Sequence, residues 1–219
     1  MVNTKMVAVL IVGMLLTCMR LGKFVRHVST FVHELGHCVG AVMVGAFAES
    51  IKYQPDSSGV AVLGFGAHIG RIRRVIVLLS GYAAPSVLGG ALIAGVLIGY
   101  PLEVLLGLTA MAVGALTLLV RNIWGIYVTT LICLSTGVGA YYLNEELAAW
   151  ALLLIAGVLL SRGVVDSTEQ YRSKGPSGCD AEIISKTLYG IPRQFIAGVQ
   201  VLFNFASLLV IVLLLVSGL

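Results

Sequence analysis

Residues 24–45 read FVRHVSTFVHELGHCVGAVMVG. At 1.5 Å per residue, a helix over this stretch is about 33 Å long, enough to cross a bilayer core of about 30 Å. Most of it is apolar, yet its centre carries His33, Glu34 and His37. A charged side chain at that depth costs about 2.5–3.5 kcal/mol and marks a functional position by default. His33-Glu34-Leu35-Gly36-His37 has the spacing H-E-x-x-H. With about 100° between successive residues, the two histidines stand about 40° apart, one turn along the axis. Both imidazoles can therefore reach one zinc ion at about 2.0–2.1 Å. Glu34 projects at the edge of the same face, placed to act on a water without being a ligand.

The rest of the chain fits a lipid solvent. Of its 219 residues, 58% are hydrophobic and 11% charged, and the mean hydropathy is +1.01. Soluble domains carry about 25% charged residues, so a soluble zinc enzyme is excluded. Seven segments are long or apolar enough to be candidate spans: 6–19, which is short, then 24–45, 74–98, 102–120, 123–142, 146–165 and 191–217. Gly99-Tyr100-Pro101, Arg121-Asn122 and Asn144-Glu145-Glu146 punctuate them. The first is expected to be a retained span and not a cleaved leader, because Arg20, Lys23 and Arg26 stand where a small-residue cleavage site belongs.

Two stretches do not span. Residues 48–65 hold strand-like runs at 50–54 and 60–63 around Pro55-Asp56-Ser57-Ser58-Gly59, a β-hairpin pattern. Residues 166–190 are polar, contain Gly175-Pro176-Ser177-Gly178, and end in a short helical pattern over 181–188. The expected fold is a single domain over 1–219: an all-α polytopic membrane protein of six to seven transmembrane helices. A small membrane-associated β-hairpin follows the helix that carries the histidines.

Alternating sides along seven crossings collects eleven Lys and Arg residues on the N-terminal side, against Arg20, Lys23 and Arg26 on the other. The positive-inside rule places the N-terminus, the hairpin and segment 166–190 in the cytoplasm. The net charge of +4 thus reads as topology. No basic stripe with interleaved aromatics points to nucleic acid. Cys18, Cys38, Cys133 and Cys179 are scattered, with no CxxC pair, so neither a disulfide framework nor a thiolate zinc site is expected.

A catalytic zinc takes three protein ligands and keeps one open position. Beyond His33 and His37 the chain offers His27, His68, Asp56, Asp166 and Asp180. Asp56 suits its turn and Asp166 a solvated span end. Asp180 opens the short helix, where an N-cap is the simpler role.

The chain resembles the site-2 protease family of intramembrane zinc metallopeptidases. The likeness rests on the HELGH helix, the hairpin over 51–60, Gly81-Tyr82-Ala83-Ala84-Pro85, Arg121-Asn122, and Asp180-Ala181-Glu182 running to Gly190-Ile191-Pro192. It implies one zinc ion held by His33, His37 and Asp180, with Glu34 as general base. It also implies membrane-anchored protein substrates cut near the cytoplasmic face of the cell membrane. Two departures stand out. Better-known members set the aspartate in Leu-Asp-Gly or Pro-Asp-Gly, whereas here it lies in Cys179-Asp180-Ala181. They also carry an Asn-Pro pair in a middle helix, and Pro85 has no neighbouring asparagine. The oxyanion candidates are therefore Asn122, His68 and Asn204. The hairpin edge offers Ile51, Tyr53, Val60 and Val62 for pairing with an unwound substrate. The rival readings are a silent pseudoprotease that binds transmembrane clients, and a metal transporter. A transporter wants polar groups along several spans, and segment 102–120 supplies only Glu103, Thr109 and Thr117.

Overall fold

The computed structural model describes residues 4–17, 22–66, 68–173 and 179–217. Cys18, Met19, Arg20, Lys174 and Gly175-Pro176-Ser177-Gly178 lie outside them. Among the described residues, eight helices and one hairpin follow in order: α1 Thr4–Leu16, α2 Gly22–Met43, β1 Phe47–Tyr53, β2 Gly59–Gly64, α3 Arg71–Leu97, α4 Pro101–Leu118, α5 Ile123–Tyr142, α6 Glu145–Arg172, α7 Asp180–Thr187 and α8 Arg193–Ser217.

The punctuation works as local chemistry requires. Pro101 opens α4, where its missing N–H costs nothing. Asn122 and Asn144 cap α5 and α6, accepting from the amides of Gly125 and Leu147 at 3.2 and 2.9 Å. Gly99, at φ 87°, ends α3 in the left-handed region.

Helices α3, α4, α5, α6 and α8 are each long and apolar enough to cross a membrane, and the protein is a polytopic, all-α membrane protein with one small sheet. The other two candidates differ. α1 has 13 residues, about 20 Å, which is less than a bilayer core. α2 has the length, 22 residues, but its ionisable side chains lower its hydropathy. α6 also runs seven residues beyond the expected end at 165. The polar residues of that last stretch face partners: Ser167 is buried near Asn204 of α8, and Gln170 bonds Gln200. Asp166, expected to be solvated, pairs with the buried Arg162 and accepts from Ser29 Oγ at 3.1 Å.

α3 and α6 pack at the centre, with α2 on α3, α1 on α6, and α8 against both. Gly36 and Gly40 permit the α2–α3 approach. A methyl group at Gly36 would lie 2.5 Å from Ala84 Cβ, and one at Gly40 would lie 2.2 Å from Ser80 Oγ.

The hairpin lies along α2. Asp56 organises its turn by accepting from the Ser58 amide at 2.9 Å, and Thr30 Oγ1 of α2 holds the tip through the Ser57 carbonyl at 2.8 Å. The outer edge of β1 is closed. The Ile51 amide donates to Leu119 O at 2.8 Å, and the Arg121 amide donates to Ile51 O at 3.3 Å. The Asn122 side chain accepts from the Tyr53 amide at 3.1 Å and donates to the Tyr53 carbonyl at 2.5 Å. Residues 119–122 thus cover that edge, and among the described residues no further strand pairs with β2.

Candidate metal centre

One turn of α2 presents His33 and His37, and α7 brings up Asp180. The Nε2 atoms of the histidines are 3.1 Å apart. Asp180 Oδ2 lies 3.3 Å from His33 Nε2 and 3.1 Å from His37 Nε2. Four ligands around zinc at about 2.05 Å form a tetrahedron with edges of about 3.3 Å, so this triangle has the size of one face.

Proton bookkeeping points the same way. His37 Nδ1 faces the Val77 carbonyl at 2.8 Å. A carbonyl only accepts, so Nδ1 carries the hydrogen, and the Nε2 of a neutral ring is a bare lone pair. That lone pair faces a carboxylate oxygen and a second imidazole nitrogen, an arrangement that a cation at their centre resolves. A ring N–H given to a backbone carbonyl is also how metal-ligating histidines are oriented. The donor set fits zinc.

α7 explains how Asp180 is freed for this. Its N-cap is Cys179, with no side-chain capping bond, so Asp180 sits at the first helical position and turns its carboxylate toward α2. The N-cap role expected of it belongs to its neighbour.

α3 is shaped around the same turn of α2. A methyl group at Gly81 would lie 2.3 Å from His37 Cε1. The next residue, Tyr82, packs its ring edge-on against His33, with centroids 4.5 Å apart. Gly81→Ala is expected to push the His37 imidazole off its seat and to cut zinc affinity at least 10- to 100-fold, the usual cost of disturbing a ligand's support. Metal content after dialysis measures it.

Glu34 is buried, at 6% exposure, and Ala61 supplies a backbone hydrogen bond to its carboxylate. Gly59 presses against it, a methyl group there falling 2.8 Å from Glu34 Cγ. Two cavities meet here, of about 520 and 420 Å³, sharing His33, Glu34, Gly59, Tyr82 and Cys179. The larger runs along β2 past Val60, Ala61 and Leu63, between Leu78 and Ile183. The smaller is polar, walled by Arg26, Asp56, Arg162, Asp166 and Glu169.

The other candidates are scattered. Asn122 is spent on β1. His68 is exposed, sits against Gly66 and lines neither cavity. Asn204 is fully buried in α8, accepting from Ser86 Oγ at 2.5 Å. Ile51 and Tyr53 are fully buried on the closed strand, and their engaged backbone removes them as substrate-pairing residues. Val60 is 57% exposed and lines the larger cavity, and Val62 lies on the same open strand. Cys38 is buried packing, as expected, and the described cysteines are free thiols. The residues that sequence reasoning left without a role are Gly59, Gly81 and Tyr82. Gly81-Tyr82 was visible only as part of a resembling string.

Comparison with known proteins returns no curated protein and no solved structure that matches the chain. A family profile described as Peptidase M50B-like matches residues 5–211. Nearly the whole bundle, with both histidines, the hairpin and the aspartate, thus falls within one match, and the chain belongs to the Peptidase M50B-like family, zinc-dependent metallopeptidases of the site-2 protease type.

Proposed function

We propose that this protein is an intramembrane zinc endopeptidase that cuts membrane-anchored protein substrates close to the cytoplasmic face of the cell membrane. The observation that carries the reading is the convergence of His33, His37 and Asp180 at one point, with Glu34 beside them on the cavity wall.

His33, His37 and Asp180 would hold the ion. A bound zinc supplies Lewis-acid chemistry, polarising the scissile carbonyl and acidifying a water. Glu34 takes the proton as that water attacks the carbonyl carbon, then delivers it to the departing amine. The carboxylate suits both duties because the Ala61 backbone orients it and Gly59 shields it from bulk water. A peptide bond inside a helix is shielded by its own backbone, so the substrate has to unwind. The outer edge of β2 supports this step, because the strand runs along the larger cavity and carries Val60 and Val62 where an unwound chain could lie.

The orientation rests on basic residues. Arg71, Arg73 and Arg74 open α3, and Val77, which holds His37, is six residues or about 9 Å further along the helix. The positive-inside rule favours a cytoplasmic location for that end, which supports a scissile bond near this face. Two residues leave the topology count: Arg26 pairs with Glu169 at 3.7 Å and Arg162 with Asp166, both in the wall of the polar cavity.

Treatment of the purified protein with a divalent-metal chelator is expected to stop cleavage of a fluorogenic single-span polypeptide, and one equivalent of zinc to restore it. Undiminished cleavage by metal-free protein would overturn the proposal.

A further inference from the structure

Peptide hydrolysis builds negative charge on the carbonyl oxygen, and sites of this kind place a hydrogen-bond donor where that charge develops. None of Asn122, His68 and Asn204 lines the cavities at His33 and Glu34. The threonine hydroxyls at these cavities are committed. Thr30 Oγ1 donates to Ser57 O at 2.8 Å, and Thr187 Oγ1 donates to Ile183 O at 2.7 Å. The Arg74 guanidinium, also on the larger cavity, is engaged over the Phe65 ring, 5.3 Å from its centroid.

Tyr82 differs from all of these. It lines both cavities, and therefore stands where they join at Glu34. Its ring is fixed by the edge-on contact with His33, with an interplanar angle of 87°. Its hydroxyl makes no hydrogen bond to the described residues and is not sealed off from its surroundings, in a side chain that lines both cavities. A phenol fixed through its ring but uncommitted at its oxygen is a preorganised donor.

We propose that the Tyr82 hydroxyl donates a hydrogen bond to the oxyanion formed during attack on the scissile carbonyl. The role deepens the hydrolytic reading above and rests on it. As the water oxygen bonds to the carbonyl carbon, the π pair moves onto the carbonyl oxygen, and the Tyr82 O–H points at that oxygen without giving up its proton. Collapse returns the pair, the C–N bond breaks, and Glu34 supplies the proton to the amine. Tyr82 is catalytic in this scheme, because its hydroxyl touches the reacting atom.

The test compares Tyr82→Phe with the native protein, both zinc-loaded, on a fluorogenic single-span polypeptide. The expected result is a kcat lower by about 100- to 1,000-fold, the effect of removing one oxyanion donor, with KM little changed. A second readout is the affinity for a phosphonamidate peptide, whose tetrahedral anion mimics the intermediate. It is expected to fall by a similar factor in Tyr82→Phe and by much less in Tyr82→His, which retains an N–H donor. Zinc content and helical circular dichroism are expected to be unchanged in both variants. An unchanged kcat and phosphonamidate affinity in Tyr82→Phe would sink the idea. Loss of zinc would overturn it differently, by making Tyr82 a support for His33. If the native protein itself cleaves nothing while Glu34→Gln behaves identically, the hydrolytic reading has failed instead.

Discussion

Glu34→Gln is expected to remove peptide-bond hydrolysis while the protein keeps its full complement of zinc. Glutamine matches glutamate in shape, so it can fill the space against Gly59 and still accept from the Ala61 backbone. It cannot take a proton from water at neutral pH, nor return one to the leaving amine. General acid–base groups contribute about 100- to 10,000-fold, and in the proposed mechanism Glu34 would serve twice in each cycle, so the upper end is expected. The measurement is a turnover rate beside metal analysis on the same sample. Equal turnover would leave a metal-binding membrane protein without this chemistry, whereas loss of both zinc and turnover would make Glu34 a ligand or a structural group.

The second large effect is expected from Asp180→Ala. It removes the only oxygen donor of the triangle and leaves two imidazoles on one helix turn, with no carboxylate to balance the ion's charge. Disturbing a ligand's outer support already costs 10- to 100-fold in metal affinity, so deleting the ligand is expected to cost more. Zinc is then lost on dialysis, as it is in His33→Ala. Retention of zinc in Asp180→Ala with loss in His33→Ala would demand another third ligand. The polar-cavity residues Asp56 and Asp166 are poor substitutes, because one is tied to Ser58 and the other to Arg162 and Ser29.

What the sequence revealed depended on how far apart the partners lie. His33 and His37 are four residues apart, and a helical turn converts that spacing into contact, so half of the site was legible at once. α5 runs over Ile123–Tyr142, as expected, because its limits are written locally in Asn122 and Asn144. Asp180 meets His37 across 143 residues, and nothing near it distinguishes a ligand from a helix-opening residue. Resemblance, not periodicity, singled it out. Asn122 shows the same blindness in reverse: its real partner, the Tyr53 backbone, is 69 residues away, so a side chain that completes a sheet looked free for catalysis. The polar end of α6 read as part of a non-spanning segment for a related reason. Its hydrogen-bonding side chains are matched by α8 and α2, and composition alone does not show which polar residues have found each other. Tyr82 carried no local signal because its meaning lies in an aromatic contact with another helix.

One consequence concerns how the molecule is made. The helix that holds both imidazoles is also the long helix that falls short of the apolar standard met by α3, α4, α5, α6 and α8. As it leaves the ribosome, α2 is a poor candidate for partitioning into lipid by itself. Its polar face is satisfied only when α3 arrives to receive His37 and the hairpin folds back over Glu34. Stable seating of α2 in lipid is therefore expected to wait on the segments that follow it: chemistry and membrane integration make opposing demands on the same helix.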